Sequence, residues 1–200
     1  MRDYGPHPYI IDSTPGEKRD IVAREIWGLH LVSEKVREDI ITAWVTMWTS
    51  SNFERLEDVP FAPGMNSPLL RHVNEVTRAG VLLARQATEE WGVEFDTDVL
   101  VSILILHDVD KPLLAEPDGQ GGTRASRMAS QLQHGVIGGM LLKELGFPHI
   151  VVSHVALHAG NAPFHPETPE ALVLYHADYF SADQAMMAVG KPPFYQKKAS

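Results

Sequence analysis

From Glu17 onward apolar residues recur at three-and-four spacing: Ile21, Val22, Ile26 and Leu29, then Val36, Ile40, Ile41, Trp44, Val45 and Trp48. This period predicts two amphipathic helices, with Ser33 as the cap between them. Ahead of them, residues 1–16 carry prolines at 6, 8 and 15 and glycines at 5 and 16, and read as an irregular arm. Pro60, Pro63 and Gly64 mark a loop. Ser67-Pro68 then offers an N-cap followed by proline at the first helical position. The helix it opens, "PLLRHVNEVTRAGVLLARQATEEWG", closes at Gly92.

"VLVSILILHDVDKP", Val99 to Pro112, is a nearly unbroken apolar run that ends in His107, Asp108, Asp110 and Lys111. It predicts a buried helix capped by Asp96 or Thr97 and ended by Pro112. "AEPDGQGGTRAS" follows as a Gly-rich loop long enough to suspect function or mobility. A helix is expected from about Ser126 to Leu145, stopped by Gly146, and a shorter one from Pro148 to about His158. Thr168-Pro169-Glu170 is the N-terminal signature of a final helix running toward Val189. The tail "YQKKAS" reads as frayed. No strand alternation or hairpin signal is seen, so the expectation is an all-α bundle of about seven helices. Its expected organisation is an arm and packing helices over 1–66, a core over 67–189 and a tail over 190–200.

Hydrophobic content of 44% and charged content of 22% are ordinary for one soluble domain. No apolar run is long enough to span a bilayer. The N-terminus lacks a basic stretch followed by an apolar core, so no signal peptide is read and a cytoplasmic location is expected. The net charge of −9, with no basic stripe, argues against a nucleic-acid partner. The chain has ten histidines and no cysteine. Disulfides, thiolate metal sites and cysteine nucleophiles are thereby excluded, and any metal must be held by nitrogen and oxygen.

Histidines and carboxylates interrupt the apolar helix faces: His72 in "LLRHVNEV", His107-Asp108, His134 in "SQLQHGVIGGM", His154 and His158 in "VVSHVALHAG", and Asp178 in "VLYHADYF". Any one of them could be a core residue satisfied by a neighbouring carbonyl. Together, on separate buried helices, they would need mutual pairing or a cation. Divalent manganese, iron, zinc or similar ions satisfy imidazole and carboxylate donors at once, as in metal sites built inside helical bundles.

In order and context, His72, the pair His107-Asp108 and the distal Asp178 resemble the HD-domain superfamily of metal-dependent phosphohydrolases. "LILHDVDKP" is similar to that family's central segment and "VLYHADYFSA" to its late helix, while "QHGVIGGMLLKELGF" and "VSHVALHAGN" are similar to the two extra histidine segments of two-metal members. The resemblance implies that His72, His107, Asp108 and Asp178 hold one ion. Asp108 would bridge to a second ion held by His134 and a later histidine, His158 being preferred over His154. Two departures stand out. Asp110 occupies a position where the family often has a small residue, and the loop after Pro112 is longer than usual. Asp110 could be solvated, support a ligating histidine or pair with Lys111.

Such a metal pair would present hydroxide near neutral pH and neutralise phosphoryl oxygens. Lys111 is the first candidate to orient the anion, with a catalytic and substrate-binding role; Arg124 and Arg127 come next, unless they are solvated surface charges. Arg71 is expected to pair with Glu75, which could instead support a ligating imidazole. Trp44, Met47, Trp48 and Phe53 read as core. His7, His30, His149, His165 and His176 are assigned no role. The favoured function is hydrolysis of a phosphate ester, a nucleotide or other phosphorylated small molecule. The alternatives are a hydratase or amide hydrolase acting on a small nitrogen compound, a di-iron oxygenase, and a sensory binding module, which would not need so complete a ligand set. Apolar faces near residues 36–48 suggest a homodimer.

Overall fold

The computed structural model describes residues 8–65 and 67–196. Its helices are α1 (Glu17–Glu25), α2 (Glu34–Thr49), α3 (Leu69–Trp91), α4 (Thr97–Leu106), α5 (Lys111–Leu114), α6 (Val136–Glu144), α7 (His149–Leu157) and α8 (Pro169–Ala188). All but α5, a single turn, span nine residues or more. The fold is therefore all-α, with seven substantial helices among the described residues.

The apolar run becomes α4, and every residue from Leu100 to Leu106 is buried. A helix without a polar face must be surrounded, and α4 is packed by α2, α3, α7 and α8. The long α3 lies against α8, and α6 pairs with α7. These contacts bring the end of α4, the middle of α8 and the α7 terminus to one place. Asp96 caps α4 by accepting from Val99 N at 3.1 Å, Thr168 caps α8 by accepting from Ala171 N at 3.1 Å, and α3 stops at Gly92, whose φ of 66° is left-handed.

Several sequence expectations are corrected. Helix α4 ends at Leu106, not at Pro112. Residues 107–110 form tight turns closed by Val109 N to Leu106 O at 3.1 Å and Lys111 N to Asp108 O at 3.1 Å. Pro112 instead occupies the first turn of α5, where its missing N–H costs nothing. The helix expected over 126–145 is broken: a 3-10 turn covers Met128–Ser130, and α6 starts only at Val136. Gly135 causes the break, with φ 90° and a backbone so close to α7 that a Cβ would lie 2.5 Å from Val155 O. His134 therefore sits on a turn rather than on a helix face.

A hairpin also occurs where none was expected. Strands β1 (Ala115–Pro117) and β2 (Thr123–Ala125) pair antiparallel, Ala115 opposite Ala125. Asp118 fixes their turn by accepting from Gln120 N at 2.8 Å and Gly122 N at 2.9 Å.

The α2 face on which the homodimer expectation rested is not exposed. Ile40, Ile41, Trp44, Val45, Met47 and Trp48 are all in the core. Phe194–Gln196 forms a 3-10 turn in the expected tail. His7, the start of the arm and residues 197–200 lie outside the described residues. No helix among the described residues is long and apolar enough to cross a membrane.

Candidate metal centre

Six side chains from five segments converge. His72 comes from α3, His107 and Asp108 from the turn after α4, His134 from the turn before α6, His158 from the end of α7 and Asp178 from α8. The carboxylate of Asp108 lies at the middle, and its two oxygens face different partners. Oδ2 is 3.3 Å from His72 Nε2 and 3.4 Å from His107 Nε2. Oδ1 is 2.8 Å from His134 Nε2 and 3.5 Å from His158 Nε2. Asp178 Oδ1 joins the first group, 3.2 Å from His72 Nε2 and 4.0 Å from His107 Nε2. Two potential metal-holding sets result, His72-His107-Asp108 and Asp108-His134-His158, each with donor atoms within 4.8 Å of one another.

The other ring nitrogen of each histidine fixes its tautomer. His107 Nδ1 donates to Leu104 O at 2.9 Å, and His158 Nδ1 to Val155 O at 2.8 Å. His134 Nδ1 donates to Asp110 Oδ1 at 2.9 Å. Ser181 Oγ donates to Glu75 Oε2 at 2.9 Å, so at 3.0 Å it accepts from His72 Nδ1. With Nδ1 carrying the proton, each neutral ring turns the Nε2 lone pair inward. Metal-ligating histidines are oriented in this way.

The donor set fits a divalent cation. His72 Nε2 and His107 Nε2 are 3.2 Å apart, and two lone pairs at that distance repel unless a proton or cation lies between them. Asp108 Oδ2 is fully buried without a hydrogen bond of acceptable geometry, although Lys111 Nζ stands 2.8 Å away. The cluster can hold a divalent metal ion.

The electrostatics point the same way. Burial alone would raise the Asp108 pKa, but the Lys111 and His107 charges hold it well below the usual carboxylate range. Burial likewise opposes ionisation of Asp178, yet the hydrogen bond to His72 and the His107 charge bring it down to about 2. For His134, desolvation is outweighed by the Asp110 charge and by hydrogen bonds to Asp108 and Asp110, which push it up to about 9. His72 is raised against its burial by Asp108 and Asp178. Burial lowers His158.

A cavity of about 480 Å³ opens over this cluster, with Lys111, Phe61, Asn161 and Tyr179 around it. Lys111 is held 4.0 Å above the Phe61 ring. Arg124 and Arg127 are not among the residues around it. Arg124 pairs with Glu116 across the hairpin at 2.8 Å, and Arg127 is exposed ahead of the 3-10 turn. Their expected substrate contact is therefore not what the structure brings together.

His154 also stays away. Its Nδ1 donates to Ile150 O at 2.6 Å and its Nε2 faces Thr168 Oγ1 at 2.6 Å. Asp110 is fully buried and supports His134, also accepting from Gly135 N at 2.7 Å. Glu75 pairs with Arg71 at 2.9 Å and reaches His72 only through Ser181, whose hydroxyl it holds, rather than accepting from the ring itself. Ser181 was missed from sequence; its signal was the three-residue spacing from Asp178, which puts both on one face of α8.

The family described as "HD domain" matches residues 69–183, more than half of the chain. The chain belongs to the HD domain family. All six converging residues of this HD domain lie inside the matched region. It is also 30% identical over 113 residues to a dihydroneopterin 2',3'-cyclic phosphate phosphodiesterase of Methanocaldococcus jannaschii. That match covers 55% of the chain and 44% of the relative, so the chain spans less than half the length of the curated relative it matches. No solved structure matches.

Proposed function

We propose that this HD domain is a metal-dependent phosphohydrolase that cleaves a phosphate ester of a small molecule with two divalent cations. The observation that carries the reading is the split of the Asp108 carboxylate, Oδ2 toward His72 and His107 and Oδ1 toward His134 and His158. In this reading His72, His107, Asp108 and Asp178 hold one ion. Asp108, His134 and His158 hold the other. Bound there, divalent cations supply a water of lowered pKa and screen phosphoryl oxygens. The Lys111 ammonium, steadied over Phe61, faces the cavity and orients the anionic end of the substrate. Asp110, Ser181 and Glu75 keep the ring protons off the inward nitrogens. The likeness to the Methanocaldococcus jannaschii cyclic phosphate phosphodiesterase supports ester hydrolysis over amide hydrolysis or oxygenation.

The test is metal analysis of protein purified without chelator, with hydrolysis assays on nucleotides, sugar phosphates and cyclic phosphodiesters plus added manganese, cobalt or iron. Cation-dependent hydrolysis that is lost in Asp108→Ala together with bound metal is expected. Silence on every ester, with oxygen uptake on any substrate, would overturn the proposal.

A further inference from the structure

A second cavity adjoins the cluster. His158 and Asp178 also line a second pocket of about 560 Å³, walled by Val93, Pro166, Leu172, Leu174 and Tyr175. That size is typical of pockets that enclose small organic ligands and far exceeds the need of a phosphate group. Leu172 and Tyr175 are 61% and 48% exposed, apolar surface left bare beside a buried polar cluster. The floor offers no free polar group from His154, because Thr168 Oγ1 accepts from Ala171 N and so turns its hydroxyl proton to His154 Nε2. The Tyr175 ring lies 4.6 Å from that of Tyr179, tilted 37°. Tyr175 belongs to this pocket and Tyr179 to the cavity over the cluster, so one aromatic wall runs between them. No lysine or arginine is among the described residues lining the pocket, whereas Glu167 is.

We infer that this pocket binds the organic part of the substrate, and that this part is an uncharged planar ring. Apolar side walls and an aromatic face suit a flat aromatic or heteroaromatic group. Glu167, with no lysine or arginine among the described lining residues, gives a second anionic group no partner there, which disfavours polyphosphates and bisphosphates. The substrate class is a singly phosphorylated ester that carries such a ring. The inference rests on the phosphohydrolase reading for the phosphate end alone.

The test uses two readouts on the metal-loaded full chain and on Leu172→Ser, a change at an exposed position. The first is fluorescence titration with 1-naphthol, which has a ring and no phosphate. The second is the ratio of KM for 1-naphthyl phosphate to KM for glycerol 2-phosphate. Saturable naphthol binding is expected, weakened about tenfold in the variant, the loss that follows when a leucine side chain the ligand would cover is removed. The KM ratio is expected to rise by about the same factor with bound metal unchanged. Absent or non-saturable naphthol binding, or equal affinity in the two proteins, would overturn the inference. Leu172-dependent naphthol binding with neither ester hydrolysed would uphold the pocket and defeat the phosphohydrolase reading instead.

Discussion

His72 Nε2 and His107 Nε2 face each other at 3.2 Å, while Nδ1 of each ring is already engaged by Ser181 or by Leu104 O. Two imidazoles held in this way compete for whatever positive charge lies between them. In the metal-free protein a proton can take that place, and against the burial of His72 the Asp108 and Asp178 carboxylates favour it there by raising the pKa of the ring. A divalent cation would displace it.

Metal binding is therefore expected to release protons. Calorimetric titration with manganese in buffers of different ionisation enthalpy should give heats that vary with the buffer. Affinity should rise with pH until His134, pushed up to about 9, has lost its proton. Heats that do not depend on the buffer would show that no proton sits on the inward nitrogens of the metal-free protein.

Stability of the metal-free protein should also follow pH. The folded pKa of His134 is above its unfolded value near 6.5. Its contribution is thus complete below that value and is lost as pH rises toward 9. Asp178, brought down to about 2, contributes above the unfolded value of 3.8, and that stabilisation fades as pH falls toward 2. Thermal melts of chelated protein should show Tm declining between pH 7 and 9. Added manganese should flatten that decline.

Asp110→Ala and Ser181→Ala should weaken metal binding by about 10–100-fold, because each removes an acceptor that orients a ring of the cluster. They act on different sets, Asp110 through His134 and Ser181 through His72. Each variant should therefore lose one ion in preference, which two-site titration would resolve. Loss of the same ion in both would separate the supports from their assigned rings.

Gly135→Ala should destabilise the fold by about 2–4 kcal/mol, since it combines backbone strain with a collision. The added methyl group would meet Val155 O at 2.5 Å on a residue whose φ is 90°. The next residue back is His134, so chemical denaturation should report the stability loss and metal analysis a lost ion. An unperturbed midpoint would show that the turn accommodates a Cβ at this position.

Sequence alone determined the helical class and most helix limits, because periodicity, Asp96, Thr168 and Gly92 are local signals that act within a turn or two of the chain. It also singled out the six converging residues, since histidines and carboxylates on buried faces are conspicuous. It misjudged the stretch from 107 to 135. There the left-handed Gly135 depends on its contact with α7, while the tight turns and the Asp118-fixed hairpin rest on local bonds in a stretch read as a helix end and a loop.

Only the tertiary structure brings His158, and not His154, to the cluster. The two share a helix four residues apart, and the difference lies in what each ring meets: Thr168 for His154, Asp108 for His158. It likewise took Arg124 away from the cavity by supplying Glu116 across the hairpin. It buried the α2 face that looked free to pair with a second chain. A sequence states which groups must be satisfied, and packing at a distance chooses the partners that satisfy them.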